Sequence, residues 1–585
     1  MAAQSLDEPT LRYSSPAFSG EHETRLQSEK DKESDNHQPD PSLPLRKPKL
    51  PLGWRITILV LTCLASFGNH WSNGLITALK TTIIKELKIN NSQFATVVAC
   101  TNLVNTFLCI IFGFCIDKWG GPLLTVVMAS FHFGGSVIMA GSATNNFNNY
   151  PVLIVGKVIA AIGDGSLDNS QHRIFSTYFA RGGGFAFSIG AIWGVANLAQ
   201  FTGQSTANII ATNLGTYAWA LWISAIIALF SVICAVSVYF LDRWLMVKYE
   251  VTDHTDGTTM KGHLRRGVFS MKAIKELPVT YWIVLMFTAF ENAGIQSFVS
   301  ISTQFAQQRL KKGAVIAGWV SSFYLLLPAC LTPVVGLLID VYGQRVSVLL
   351  ASGLVFLVSM LLLKFSHSVP TFVAAYVFYA FATCLTAAPQ VEIIRSIITD
   401  PQWFATAFAI KKSVIQASAV IITTAAGKLQ DDTPNASLDS AVTLWLIYAF
   451  ICTGIALVLW IIADWFPNVL PSARLAQVRP SKLEENVTRM LRAKRGLMQP
   501  TVDAHSVNDL DVEGMSSDSD STNEEKKLLA DEKMLKSVEP GKVMNRLRWV
   551  FPAASGGVIA IGWIVFGLGI EWGLGGKISA SGTGD

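Results

Sequence analysis

Charged residues are scarce in this chain. Asp, Glu, Lys and Arg make up 15 % of its 585 residues, against 51 % hydrophobic residues. A soluble fold of this size carries roughly a quarter of its residues charged, so the shortfall excludes a soluble enzyme and a disordered scaffold. An excess of either sign is missing too: a net charge of +5 is small for this length and does not suit a nucleic-acid binder. The eight cysteines, Cys63, Cys100, Cys109, Cys115, Cys234, Cys330, Cys384 and Cys452, all lie inside apolar runs and form no C-x-x-C pair. That excludes a disulfide-stapled secreted domain, and no metal site is expected. Residues 1–50 hold no short apolar core before a cleavage site, so no signal peptide is expected. The patterns G-x-x-x-x-G-K-[ST], H-E-x-x-H and G-x-S-x-G are absent, so neither an enzyme nor an ATP-driven pump is expected, and no cofactor.

What the chain has instead is long apolar runs, each of about 20 residues or more and able to cross a bilayer. Segments 1 to 6 lie at approximately 54–78, 92–116, 122–144, 151–175, 184–211 and 217–242. Segments 7 to 12 lie at approximately 279–303, 314–339, 346–365, 370–396, 402–427 and 441–465. The expected architecture is an all-α polytopic membrane protein of two pseudo-symmetric six-helix bundles. A disordered cytosolic tail (1–50) precedes the first bundle (51–242), a cytosolic loop (243–277) and the second bundle (278–465). A polar cytosolic tail (466–546) leads to an extra C-terminal helix, transmembrane or interfacial (547–575, apolar over 549–573), and a short tail (576–585).

Basic residues orient the spans. Arg46, Lys47, Lys49 and Arg55 precede segment 1, six Lys and Arg fill 248–275, and seven fill 474–495, so these regions and the N-terminus are read as cytosolic. Arg309, Lys311 and Lys312 are an outvoted counter-signal. The sequons at Asn90 and Asn435 then fall on the opposite side and are candidate glycosylation sites, whereas the one at Asn486 falls in the cytosolic tail.

A loop motif occurs twice. Gly113-x-x-x-Asp117-Lys118-x-Gly120 closes segment 2, and Gly336-x-x-x-Asp340-x-x-Gly343-x-Arg345 closes segment 8, the equivalent place in the second half. An internal repeat of this kind is what transporters use. Gly113 and Gly336 allow close helix packing, and Gly120 and Gly343 permit a tight turn. The carboxylates can meet a neighbouring helix N-terminus or a basic residue such as Lys118 or Arg345, forming a latch that must break when a rocking molecule opens.

On these residues the chain resembles the major facilitator superfamily over about residues 54–465. Gly121 and Pro122 stand where basic residues often follow the first motif copy. Segment 4 is similar to the family's R-x-x-x-G-x-G stretch, with Lys157 for Arg, Ala161 for the first Gly, and then Gly163. The run Gly163-Asp164-Gly165-Ser166-Leu167 and the sequon between segments 1 and 2 are similar to the branch containing the lysosomal dipeptide uniporters. That resemblance implies a helix 4 acid and a helix 5 arginine at the substrate. Here Asp164 or Gly165 and Ala196 or Asn197 occupy those places, and the arginine is absent. It also implies a single-pass accessory glycoprotein partner.

Ionisable residues within spans are functional candidates. Lys157, Asp164, Asp168 and His172 follow i, i+7, i+11, i+15 spacing, which places them on one face of segment 4, and two neighbouring carboxylates there suit a proton or an amine. Glu291 in segment 7 needs a partner, and Lys411 or Lys412 of segment 11 could supply it. Asn197 with Gln200, and His70 with Asn69 and Asn73, add hydrogen bonding. Glu392 and Arg395 read as a local pair or a gate, and His132 as a packing residue. Acids facing a lysine suit a zwitterion, so a dipeptide or amino acid is the expected solute, moved by alternating access with or without protons. An organic-anion or sugar carrier is the alternative, and a non-transporting receptor or accessory protein on the same fold is the alternative from another class. Glu524-x-x-x-Leu528-Leu529 matches the acidic dileucine pattern read by sorting adaptors, which points to a lysosomal or vacuolar membrane, with the plasma membrane second.

Overall fold

In a bilayer no water satisfies an exposed backbone, so an apolar run of span length becomes a helix. The computed structural model describes residues 48, 50–179, 184–249, 251, 274, 277–311, 313–365, 369–398, 404–466, 469–479 and 550–575. Among them thirteen helices are long and apolar enough to cross a membrane. They are α1 Leu52–Ala78, α2 Asn91–Trp119, α3 Gly121–Ser142, α4 Tyr150–Tyr178, α5 Phe185–Asn213 and α6 Tyr217–Lys248 in the first half. The second half holds α7 Val279–Leu310, α8 Ala314–Tyr342, α9 Arg345–Phe365, α10 Val369–Ile397, α11 Phe404–Asp431 and α12 Asp439–Trp465. The apolar run at 549–573 is α13, Val550–Gly575. Short helices Lys80–Leu87 and Pro471–Leu475 follow α1 and α12.

Three spans are interrupted. α1 breaks between Leu64 and Phe67, and α4 breaks between Asp164 and Leu167, where Ser166 leaves the helical region (φ −126°, ψ 9°). α8 passes through a 3-10 turn at Phe323–Leu325. Such breaks are tolerated at membrane depth only where protein surrounds them.

The two bundles meet along two seams, α2 against α11 and α5 against α8. At the second seam a Cβ on Gly336 would lie 2.4 Å from the Ala186 carbonyl oxygen, so only glycine lets α8 approach α5 this closely. The second bundle is built around aromatic rings: Phe298 packs against Phe305, Tyr376, Tyr379 and Trp445. The buried Trp445 indole donates to the Gly294 carbonyl at 3.0 Å.

α13 lies over the α2–α11 seam. A Cβ at Gly562, Gly569 or Gly573 would meet Ala417, Thr424 or Gln93 respectively, so one small-residue face spans both bundles. Trp563 Nε1 donates to Thr106 Oγ1 at 3.1 Å, and Phe551 stacks on Trp282. For the description below, the membrane face where α2 and α8 end is the motif face, and the other is the far face.

Candidate functional site

The two carboxylates of α4 are separated by the break at Ser166. A continuous helix would present both on one face. The break resets the helical phase, and each acid takes a different partner. Asp164 turns to α3, where its Oδ1 lies 2.9 Å from His132 Nδ1. Asp168 turns to the opposite bundle, where its Oδ2 accepts from Lys412 Nζ of α11 at 2.7 Å. The expected Asp164–Asp168 carboxylate pair is therefore corrected, and His132 is an acid's partner rather than a packing residue. The two ion pairs differ in access. Side chains of the Lys412–Asp168 pair are 18 % and 16 % exposed, those of His132–Asp164 only 3 % and 8 %, so the first pair is the less enclosed of the two.

Glu291 is not the partner of either lysine. It is fully buried inside the second bundle and accepts from neutral donors: the Ser352 hydroxyl, Thr386 Oγ1 at 2.7 Å and Gln390 Nε2 at 2.7 Å. Lys411 is buried beside Lys412 and has no ion-pair partner among the described residues. Lys157 is also buried and donates to Asn73 Oδ1 at 3.2 Å, a neutral partner rather than an acid. Gly163 sits at the α3–α4 contact, where a Cβ would lie 2.4 Å from the Met128 carbonyl oxygen.

The remaining candidates are arranged around the ion pair or used locally. His172, one turn beyond Asp168, has both ring nitrogens buried without a hydrogen-bond partner, and its ring is 6.2 Å from that of Phe408. His70 of α1 lies 6.3 Å from the Trp193 ring of α5. Asn197 spends its amide on the Trp193 carbonyl, 2.7 Å away in its own helix.

At the motif face the second motif copy is a cross-bundle tie. Asp340 accepts from the backbone N–H of Phe187 at 2.9 Å and of Ala186 at 3.3 Å, capping the first turn of α5. Gly343 has φ +75°, a value that disfavours a side chain. Arg345 does not serve Asp340. It is buried, donates to the carbonyls of Ala476 and Val478 at 3.2 Å, and lies 3.8 Å from Glu392. Glu392 and Arg395 are a local pair at 3.9 Å, and the Arg395 guanidinium lies 3.6 Å from the Phe185 ring centroid across the seam.

In the first copy Gly113 is buried on α2, and Gly120 (φ +90°) turns the chain from α2 into α3. Lys118 is exposed over the Trp119 ring. The side chain of Asp117 lies outside the described residues, as does that of Asn435, and so do Glu524, Leu528 and Leu529.

Asn90 is a correction. It is buried, it caps α2 by accepting from Gln93 N at 2.7 Å, and its amide donates to the Gly573 carbonyl of α13 at 2.9 Å. A glycan on that nitrogen has no room in this arrangement. Sequence reasoning also missed a polar group at the far face, Lys80, Gln430 and Asp431. Its members sit at segment ends, where polar residues are ordinary, so nothing in their spacing marked them.

Two six-helix bundles with a repeated motif at equivalent helix ends and an ion pair between them define a secondary-transporter fold. The chain belongs to the Major Facilitator Superfamily, whose profile matches residues 62–314 and 282–570. It is a multi-pass membrane protein and a transporter of that superfamily. Among curated proteins it is similar to the lysosomal dipeptide transporter MFSD1 of Danio rerio, 23 % identical over 426 residues that cover 70 % of this chain and 88 % of the relative. The Mus musculus protein of the same name is 24 % identical over 394 residues, covering 65 % and 81 % respectively. Among solved structures, the proton:xylose symporter XylE bound to 6-bromo-6-deoxy-D-glucose matches with a TM-score of 0.54 at 14 % identity, over 70 % of this chain and 95 % of XylE. A partially occluded inward-open form of the same transporter gives 0.51 at 14 % identity, over 70 % and 99 %.

Proposed function

We propose that this chain carries dipeptides, or amino acids of similar charge, across a lysosomal or vacuolar membrane by alternating access, with the motif face and the N-terminus in the cytosol. The observation that carries the reading is the Lys412–Asp168 pair. It joins α11 to α4 across the bundles at 2.7 Å, and both side chains are only partly buried. A zwitterion can replace each member for the other, its ammonium on Asp168 and its carboxylate on Lys412. Breaking the pair without that replacement would leave two charges unpartnered at membrane depth. The proteins it resembles are named for dipeptide transport in lysosomes. A single-pass accessory glycoprotein and sorting adaptors belong to the same reading.

The test is uptake into proteoliposomes of labelled dipeptides, amino acids, a hexose and a monocarboxylate, with and without a proton gradient. Saturable dipeptide uptake is expected. Lys412→Met and Asp168→Asn should each lower it by roughly tenfold or more, as for one member of a desolvated pair left alone. Hexose or monocarboxylate uptake without dipeptide uptake overturns the zwitterion reading.

A further inference from the structure

We propose that Asp431 is the latch of the far face, the counterpart of Asp340 on the motif face. Asp431 is the last residue of α11, in the second bundle. Its Oδ1 accepts from Asn91 N at 3.2 Å and Asn91 Nδ2 at 3.0 Å, and its Oδ2 accepts from Ser92 N at 2.9 Å and from the Ser92 hydroxyl. All these donors belong to the first turn of α2, in the first bundle. Gln430 beside it extends the grip: its Oε1 accepts from Lys80 Nζ at 3.2 Å, and its amide donates to Gln304 Oε1 at 3.0 Å.

Two features set this apart from an ordinary helix cap. The first is that α2 already has its own. Asn90 and Gln93 form a reciprocal capping box, with Gln93 N to Asn90 Oδ1 at 2.7 Å and Asn90 N to Gln93 Oε1 at 3.0 Å. The helix can therefore start without Asp431, and the bonds to Asp431 can break without unravelling it. The second is the symmetry. On the motif face an acid near the end of α8 caps the first turn of α5, and on the far face an acid at the end of α11 caps the first turn of α2. In both cases a carboxylate of the second bundle holds the positive end of a first-bundle helix. The pairs α5–α8 and α2–α11 are also the two seams along which the bundles meet. A molecule that opens one face at a time must release one tie while keeping the other, and both are made in this arrangement.

The inference rests on alternating access but not on the identity of the solute. Hydrogen exchange of the full chain in detergent, read by mass spectrometry without any solute, therefore separates its failure from that of the dipeptide reading. In Asp431→Asn the amides of Asn91 and Ser92 are expected to exchange roughly fivefold faster, the effect of losing a charge-assisted bond. The Gln93 amide, held by Asn90, should stay protected. Reciprocity is the decisive part. The amides of Ala186 and Phe187 should exchange more slowly in Asp431→Asn, and Asp340→Asn should produce the mirror image. Asp431→Glu should restore the wild-type pattern. Ser92→Ala, which removes a single hydroxyl donor, should move the pattern the same way by less and serves if Asp431→Asn does not fold. Faster exchange confined to Asn91 and Ser92, with Ala186 and Phe187 unchanged, would make Asp431 a static cap and overturn the latch. Unchanged exchange at Asn91 and Ser92 overturns it as well.

Discussion

Lys80 is an amine held almost out of water. It is 4 % exposed, its Nζ faces the Phe94 ring at 5.6 Å and the Gln430 side-chain oxygen, and burial lowers its pKa from 10.5 to about 7 against the opposing pull of Asp431. The sign follows from linkage. Between about 7 and 10.5 the unfolded chain binds a proton that the folded one does not, so Lys80 makes the protein more stable as pH rises through that window. Lys80→Met should raise the melting temperature by a few degrees at pH 7, and the gain should shrink toward zero near pH 10.5. Melting curves of wild type and variant that stay parallel across the window would rule this out. Individual chemistry was readable in the sequence only up to identity. Asp168 and Lys412 stand out as charges inside apolar runs. That they bond each other, while Glu291 is satisfied by Ser352, Thr386 and Gln390, depends on which helix faces which.

At the scale of the element, α4 shows what a period can and cannot say. Spacing of i, i+4 places two acids on one face only while the helix is unbroken. Gly165 and Ser166 interrupt it, and Asp164 and Asp168 diverge toward α3 and α11. In the second motif copy Gly336 lets α8 approach α5 and Asp340 meets the first turn of α5, as those two residues implied. Gly336→Leu should therefore be severe. Its Cβ would lie 2.4 Å from the Ala186 carbonyl oxygen and 2.9 Å from the Ala186 carbonyl carbon, both backbone atoms that cannot step aside. The expected cost is about 1–3 kcal/mol of stability, with loss of uptake as α8 and Asp340 are pushed off α5. Gly567→Ala on α13, with nothing within 4 Å of the added methyl, is the control and should be silent in the same melting and uptake assays. Equal effects from the two substitutions would refute the close-packing account.

Across the whole molecule, α13 touches both bundles, through Asn90, Gln93 and Thr106 of α2 and through Ala417 and Thr424 of α11. It takes no part in the Lys412–Asp168 pair. A chain ending at residue 546 should melt several degrees lower, since it uncovers the α2–α11 seam, and yet retain solute uptake in proteoliposomes. Loss of uptake from a chain that still melts cooperatively would mean that α13 belongs to the transport machinery itself.

The sequence by itself determined twelve spans, the apolar run of the last helix, the repeat and the positions of the charges within the spans. Those features are local, since apolar length and a motif at a helix end need no knowledge of neighbours. It did not determine pairing. The Asp168–Lys412 bond, the Asp164–His132 contact, the seat of α13 on one seam and the grip of Asp431 on α2 are contacts between residues far apart in the chain. Only the packing of the helices decides them, because a side chain in a membrane takes whichever partner the neighbouring helix presents at its depth.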